Sequence, residues 1–198
     1  MTPMRTFERR AFDLSEIKIR AASDETGRLQ FTGRAVVYGQ ASADLGGWSE
    51  LIQPGAATRT LATNPDVRFL QNHDQNFLLA RSTSGTLQLS EDDDGVLVTS
   101  DMADVSYARD LAVLLERGDI SQMSFGFWIT RDEWSGNLHI VHEFDLDGGD
   151  VSVVTFPAYP QTSAELRSAA KSHLLVPDAD QLQRFKDRNN LYELEAQL

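Results

Sequence analysis

Cysteine is absent from the 198 residues of this sequence, which excludes disulfide bonds, thiolate metal sites and a cysteine nucleophile. No apolar run approaches the ~20 residues that a membrane-spanning helix needs, and no secretory signal is recognisable at the start. Basic residues are also few, because 18 lysines and arginines face 30 aspartates and glutamates, for a formal net charge of −12. A field of that sign repels phosphate, so nucleic acid and membrane surfaces are disfavoured as partners. We expect a soluble, intracellular protein.

The hydrophobic share of 41% is ordinary for a folded domain. Alternating apolar and polar residues predict many short strands, and residues 104–116 carry the clearest helical pattern, with Asp104 or Ser106 available as its cap. The predicted strands cover residues 17–22, 29–38, 48–52, 67–70, 86–90, 96–99, 123–128, 139–144 and 150–156. Together they predict an α+β fold with a mainly antiparallel β-barrel core flanked by a few helices.

The chain divides into three parts. Residues 1–15 are polar and mixed in charge, and we expect them to be flexible. Residues 16–168 hold the predicted strands and form the main domain. Residues 169–198 are predicted to be a helical extension, since an apolar stripe that drifts around the helix runs through 178–198.

The strand around Ser124 places one hydroxyl among bulky apolar residues. Side chains alternate across a strand, so Met123, Phe125 and Phe127 share a core face, and Ser124 lies on the other face beside Gly126. The glycine leaves space next to the hydroxyl. Ser124 is therefore a candidate nucleophile, and the alternative is a buried serine bonded to a nearby carbonyl.

Activating a serine requires a base with a pKa near neutrality and an acid that orients the base. His73 is the best candidate for the base, because it directly follows a buried strand. The remaining histidines are His139, His142 and His173.

Asp150 is the candidate acid, because it opens a β-branched strand and shares a face with Ser152. A turn-forming role after two glycines is the alternative. Ser152 is a competing nucleophile without a glycine neighbour, and the competing acids are Asp74, Glu143 and Asp147. Metal-ligand types occur among these residues, but their spacing matches no metal motif, so we expect neither a metal nor a cofactor.

Three segments, in this order, resemble the prohead proteases of tailed bacteriophages, which are capsid maturation serine proteases related to the herpesvirus assemblins. The segments are Asn72-His73-Asp74, Gly118 to Phe127 with Met123-Ser124-Phe125-Gly126-Phe127 at its end, and Asp150-Val151-Ser152-Val153-Val154-Thr155-Phe156-Pro157-Ala158-Tyr159-Pro160. Residues 31–35 and 54–56 add support, and the resemblance runs from about Ile17 to Arg167.

The resemblance implies an assemblin-like serine protease domain, with His73 as the general base and Ser124 as the nucleophile. In the phage family the third member is usually a glutamate before the Val-Ser-Val-Val strand, where this chain has Asp150. In the herpesvirus relatives it is a histidine, so His139 and His142 remain candidates.

The resemblance further implies the substrates and the place of action. The implied substrates are the major capsid protein or its scaffolding region, and also the protease itself, with the segment after Pro177 as one self-cleavage site. The implied place of action is the inside of the immature capsid (the prohead) in the host cytoplasm. The alternative is a non-catalytic scaffolding or assembly module of the capsid with the same fold. An intracellular esterase or amidase is disfavoured, since no Gly-x-Ser-x-Gly elbow occurs.

Overall fold

The computed structural model describes residues 7–13, 18–21, 29–42 and 44–155. The strands in these ranges are β1 (Phe7–Asp13), β2 (Lys18–Ala21), β3 (Leu29–Val37), β4 (Ser49–Ile52), β5 (Arg68–Gln71), β6 (Asp74–Arg81), β7 (Leu87–Asp92), β8 (Gly95–Asp101), β9 (Gln122–Ser135) and β10 (Leu138–Val154). The helices are α1 (Thr58–Ala62), α2 (Ser106–Glu116) and a 3₁₀ turn at Ser82–Ser84.

The strands form two sheets. The first has the order β1-β9-β10-β5-β6, with β4 also paired to β10, and the second has the order β2-β3-β8-β7. All pairs are antiparallel except those of β10 with β4 and with β5, which are parallel. The prediction of a strand-rich α+β fold is confirmed. The predicted barrel is not, because the pairing found in the described ranges closes no ring.

The core lies between the two sheets. Met123, Phe125 and Phe127 of β9 have no exposed surface and pack against buried residues of β3, β5 and β8, as the alternation of the strand predicts. The ring of Phe31 on β3 lies 4.8 Å from that of Phe69 on β5, which joins the sheets directly. Each such burial contributes about 1.5–3 kcal/mol.

Strands β9 and β10 form a long hairpin that is interrupted by a bulge. Asp145 pairs with Trp128 and Asp150 pairs with Gly126, so residues 146–149 face a single residue of β9. The bulge is tied to Asp66, whose backbone N–H donates to Asp147 and whose carbonyl accepts from Gly148. The first residues of β10, 138–141, pair with β4, and its last residues, 150–153, pair with β5.

Strand β1 lies in the segment that the sequence predicts to be flexible. It pairs with β9, and Ala11 lies opposite Ser124. Its inward side chain Arg10 forms two bonds to the Glu50 carboxylate, of 2.6 and 2.8 Å, and a 2.9 Å bond to Glu8. The strand is therefore anchored through a buried ion pair rather than through apolar residues alone, which is why the hydropathy pattern does not reveal it.

His139 completes this buried cluster. Its Nδ1 lies 2.9 Å from Glu50 and its Nε2 lies 2.7 Å from Asp132, while its ring stacks on Trp134 at 4.5 Å. Burial by itself lowers the pKa of His139, but the hydrogen bonds and charges of Glu50 and Asp132 together outweigh it, so the pKa is raised. Burial raises the pKa of Glu50, and Arg10 and His139 reverse this to a net lowering.

The predicted helix over 104–116 begins at Ser106, and neither predicted cap forms. Val105 is the N-cap residue, and its apolar side chain can make no capping bond; the Asp104 carboxylate pairs with Arg109. Strand β6 was not predicted. The C-terminal predictions beyond residue 155 lie outside the described residues. Among the described helices none is long and apolar enough to cross a bilayer.

Candidate active site

Ser124 lies on the face of the first sheet that points away from the core. In β10 the residues opposite Ser124 and Gly126 are Ser152 and Asp150, so all four share this face. Ser124 and Ser152 have no exposed surface, and Asp150 is 6% exposed. Two neighbouring strands thus hold a hydroxyl and a carboxylate side by side.

His73 occupies a two-residue turn between β5 and β6. Gln71 pairs with Asp74, and the two turn residues, Asn72 and His73, have φ values of 55° and 57°. Positive φ at both positions is the pattern of a type I′ hairpin turn, which suits the twist of the adjoining strands. Asparagine is favoured there, and histidine tolerates the conformation better than most residues.

The turn is docked on the end of β10. The Asn72 N–H donates to the Val153 carbonyl at 2.9 Å, and the Thr155 N–H donates to the Asn72 side-chain oxygen at 2.9 Å. The His73 N–H donates to Ser152 Oγ at 3.3 Å. These bonds fix the turn relative to the strand that carries Asp150, so the imidazole extends back over the sheet.

The three predicted residues form one series of hydrogen bonds. His73 Nδ1 lies 2.6 Å from Asp150 Oδ2, and His73 Nε2 lies 2.7 Å from Ser124 Oγ. A carboxylate only accepts, so Nδ1 carries the proton and Nε2 of the neutral ring is left to accept from the Ser124 hydroxyl. This is the tautomer that allows an imidazole to remove a proton from a serine.

Gly126 makes room for the acid. A Cβ atom at this position would lie 2.6 Å from Cζ of Phe7 and 2.8 Å from Oδ1 of Asp150. The sequence predicts open space beside Ser124 at Gly126, and in the structure the Phe7 ring of β1 and the Asp150 carboxylate fill that space. The shorter reach of aspartate relative to glutamate is sufficient here, because the His73 turn lies directly over β10.

The competing residues bond elsewhere. Asp74 accepts from Asn76, Glu143 pairs with Arg59, and Asp147 accepts from Asp66. His139 belongs to the buried cluster with Glu50, and the ring of His142 bonds Gln53 and lies 3.4 Å from Glu133. His173 lies outside the described residues.

Metal binding has no structural support in the described part of the chain. No group of three or more histidine, aspartate or glutamate side chains in these ranges is arranged to hold an ion. Of the histidines in these ranges, His73 bonds Ser124 and Asp150, His139 bonds Glu50 and Asp132, and His142 bonds Gln53.

The series Asp150–His73–Ser124 has the geometry of the Ser-His-Asp constellation of serine hydrolases, which recurs on unrelated folds. A comparison with family models matches residues 15–175 to the caudovirus prohead serine protease family, and this chain belongs to that family. The resemblance that the sequence motifs indicate is thereby confirmed.

The fold is similar to that of a solved phage protein. The structure of the bacteriophage T4 capsid assembly protease, gp21, matches with a TM-score of 0.51 and 13% identity, over 75% of this chain and 98% of that chain. At this identity the likeness concerns the fold. No curated protein sequence matches the chain.

Proposed function

We propose that this protein is a serine endopeptidase of prohead maturation, with Ser124 as nucleophile, His73 as general base and Asp150 as the acid that orients His73. The observation that supports these roles is the continuous series of 2.6 and 2.7 Å contacts through the two ring nitrogens. Family membership supports the reaction class.

The reaction is acyl transfer. Ser124 Oγ attacks the peptide carbonyl while His73 Nε2 takes its proton, and the same nitrogen returns the proton to the departing amine as the C–N bond breaks. Water then hydrolyses the ester by the same route in reverse order. Asp150 stabilises the imidazolium that forms at each step and keeps Nδ1 protonated.

The serine is closed to solvent in this structure. Ser124 has no exposed surface, and the ring of Phe7 and the His73 turn lie against the same face. A peptide must displace part of this cover to reach Oγ. We therefore expect a serine-directed phosphonate to label the free protein slowly, and faster in the presence of mild denaturant that leaves the fold intact.

The proposed substrates are the major capsid protein or its scaffolding region, inside the prohead in the host cytoplasm, and the protease itself. The T4 relative is described as a capsid assembly protease, which supports this choice. The proposal keeps residues 16–168 as the protease domain and 169–198 as an extension, with the segment after Pro177 as a candidate self-cleavage site.

The test is coexpression with the cognate capsid protein, followed by intact mass of both proteins. Ser124→Ala should abolish processing, since loss of a triad nucleophile costs about 10⁶ in kcat. Asp150→Asn should cost about 10⁴, because the wrong tautomer faces the serine. Ser121→Ala is the matched control, since Ser121 is exposed and lies just before β9.

Two results would reject the proposal. Processing at the wild-type rate by Ser124→Ala would show that Ser124 is not the nucleophile. If the wild type neither cleaves nor takes up the phosphonate, the chain is the non-catalytic assembly module that the sequence leaves as the alternative.

A further inference from the structure

A second buried serine lies at the centre of the site. Ser152 of β10 is opposite Ser124 in β9, and neither has exposed surface. A buried hydroxyl is costly unless its hydrogen bonds are made, so the partners of Ser152 indicate what it does.

Ser152 bonds to the acid and to the backbone of the base. Its hydroxyl donates to Asp150 Oδ2 at 2.6 Å, and its oxygen accepts the His73 N–H at 3.3 Å. The His73 ring bonds the same Oδ2 at 2.6 Å. These hydrogen bonds form a closed circuit. It runs from the His73 backbone to Ser152, from Ser152 to Asp150, and from Asp150 back to the His73 imidazole.

This hydrogen-bond circuit explains how the short side chain of Asp150 is held in place. Two donors on one oxygen restrict rotation of the Asp150 carboxylate, and the backbone bond holds His73 in its positive-φ conformation. Because its proton goes to Asp150 and its bond to His73 is through the main chain, Ser152 is not placed to attack a substrate.

We propose that Ser152 is a positioning residue, whose hydroxyl sets the orientation of Asp150 and of the His73 turn together. This inference rests on the proposed protease function. Ser152 should therefore influence kcat and should not contribute to peptide binding.

Loss of the hydroxyl also changes the charge that His73 experiences. The hydroxyl donates to the carboxylate and so reduces the negative charge available to the imidazolium; without it, protonated His73 is held more tightly. The acid limb of the pH–rate profile should then move to higher pH. The other charged side chains on strands beside Asp150 and Gly126 are Arg68, which pairs with Asp66, and Arg9, which lies over Phe7.

The test uses the full chain and a peptide that spans the cleavage site identified in the processed capsid protein. For Ser152→Ala we expect kcat to fall about 10- to 100-fold with KM unchanged, and the acid limb to move up by about 0.5 to 1 pH unit. Ser152→Cys is slightly larger but keeps a donor, although a weaker one, and should show a smaller loss.

Ser100→Ala is the matched control. Ser100 is also a buried strand serine, at 2% exposure, but its Oγ has no hydrogen-bond partner and it lies in the second sheet. It should retain wild-type kcat and pH profile. If Ser152→Ala does not fold, the same comparison is made with Ser152→Cys.

The downfield NMR signal of the His73 Nδ1 proton gives a readout besides activity. It should shift in Ser152→Ala and not in Ser100→Ala. A folded Ser152→Ala with unchanged kcat, acid limb and proton signal overturns the inference, as does a loss of kcat without either change, since packing alone would then be the cause. If the wild type cleaves nothing but the proton signal still shifts in Ser152→Ala, the positioning role is supported and the protease function is rejected.

Discussion

Gly126→Ala tests whether the placement of Asp150 sets the reaction rate. The new Cβ would lie 2.8 Å from Asp150 Oδ1 and 2.6 Å from Phe7. Real Cβ atoms essentially never lie within 3.0 Å of such atoms. Phe7 is 36% exposed and can rotate away. Asp150 is held by His73 and Ser152, so its movement changes the geometry of the site.

The size of the effect follows from the distance. To restore an ordinary 3.4 Å contact, Oδ1 and the new methyl group must separate by about 0.6 Å. A misplacement of about 1 Å costs about 10² in rate, so we expect kcat to fall roughly 10- to 20-fold. The fold should survive, because the lower entropy of the unfolded chain offsets part of the ~1–3 kcal/mol of overpacking.

The assay is single-turnover cleavage of the peptide substrate, with thermal unfolding measured in parallel. Gly33→Ala is the matched control: its Cβ would be similarly crowded, 2.8 Å from Phe31 and 3.0 Å from Met123, but Gly33 lies on β3 of the second sheet and faces the core. It should lose stability and keep its rate. A folded Gly126→Ala at the wild-type rate, or an equal rate loss in Gly33→Ala, would refute the reasoning.

Three further predictions concern the surroundings of the site. Arg10→Met removes the arginine partner of buried Glu50 and leaves only His139 beside it, which should lower the free energy of unfolding by about 3–5 kcal/mol in urea titrations; a loss below 1 kcal/mol would contradict this. Because its folded pKa is raised, His139 adds stability that is complete below its unfolded pKa of about 6.5 and is lost as pH rises through the folded value. The stability advantage of wild type over His139→Gln should therefore shrink as pH rises above about 6.5, and a constant difference would argue against it. Asn72→Gly keeps positive φ but loses the bond to Thr155, so kcat should drop about fivefold with little change in melting temperature; unchanged kcat would mean that this bond does not hold the turn.

The sequence was sufficient to predict the elements that carry the site. The alternation around Ser124 and the position of His73 at a strand end are local patterns, and the structure shows both. Local context predicted His73 as the base and Asp150 as its orienting acid, but it could not show that the two meet, because they lie 77 residues apart along the chain. Ser152 was considered as a nucleophile, and its bond to the acid has no local signal.

Other features escaped prediction for physical reasons. Strand β1 places Glu8 and Arg10 inward, which reverses the usual pattern of a strand whose buried face is apolar. The predicted strands 139–144 and 150–156 leave residues 145–149 as a loop between them, whereas in the structure Asp145 pairs with Trp128 and residues 146–149 form a bulge inside one long strand. A bulge and a loop have the same glycine-rich composition, so only the pairing on either side distinguishes them.

The hairpin of β9 and β10 has a consequence for the order in which the protein assembles. Ser124 and Asp150 lie on one antiparallel hairpin, whose contacts are local, whereas His73 is 51 residues from the serine and joins through the parallel pairing of β5. Only 26 residues separate Ser124 from Asp150, whereas His73 is 51 residues from Ser124 and 77 from Asp150. Closing a loop two to three times longer costs about 0.6–1 kcal/mol more entropy, so the histidine turn should dock after the hairpin has formed. A partly folded chain would then hold Ser124 and Asp150 in register without a base beside them, and it would cleave nothing until the His73 turn docks.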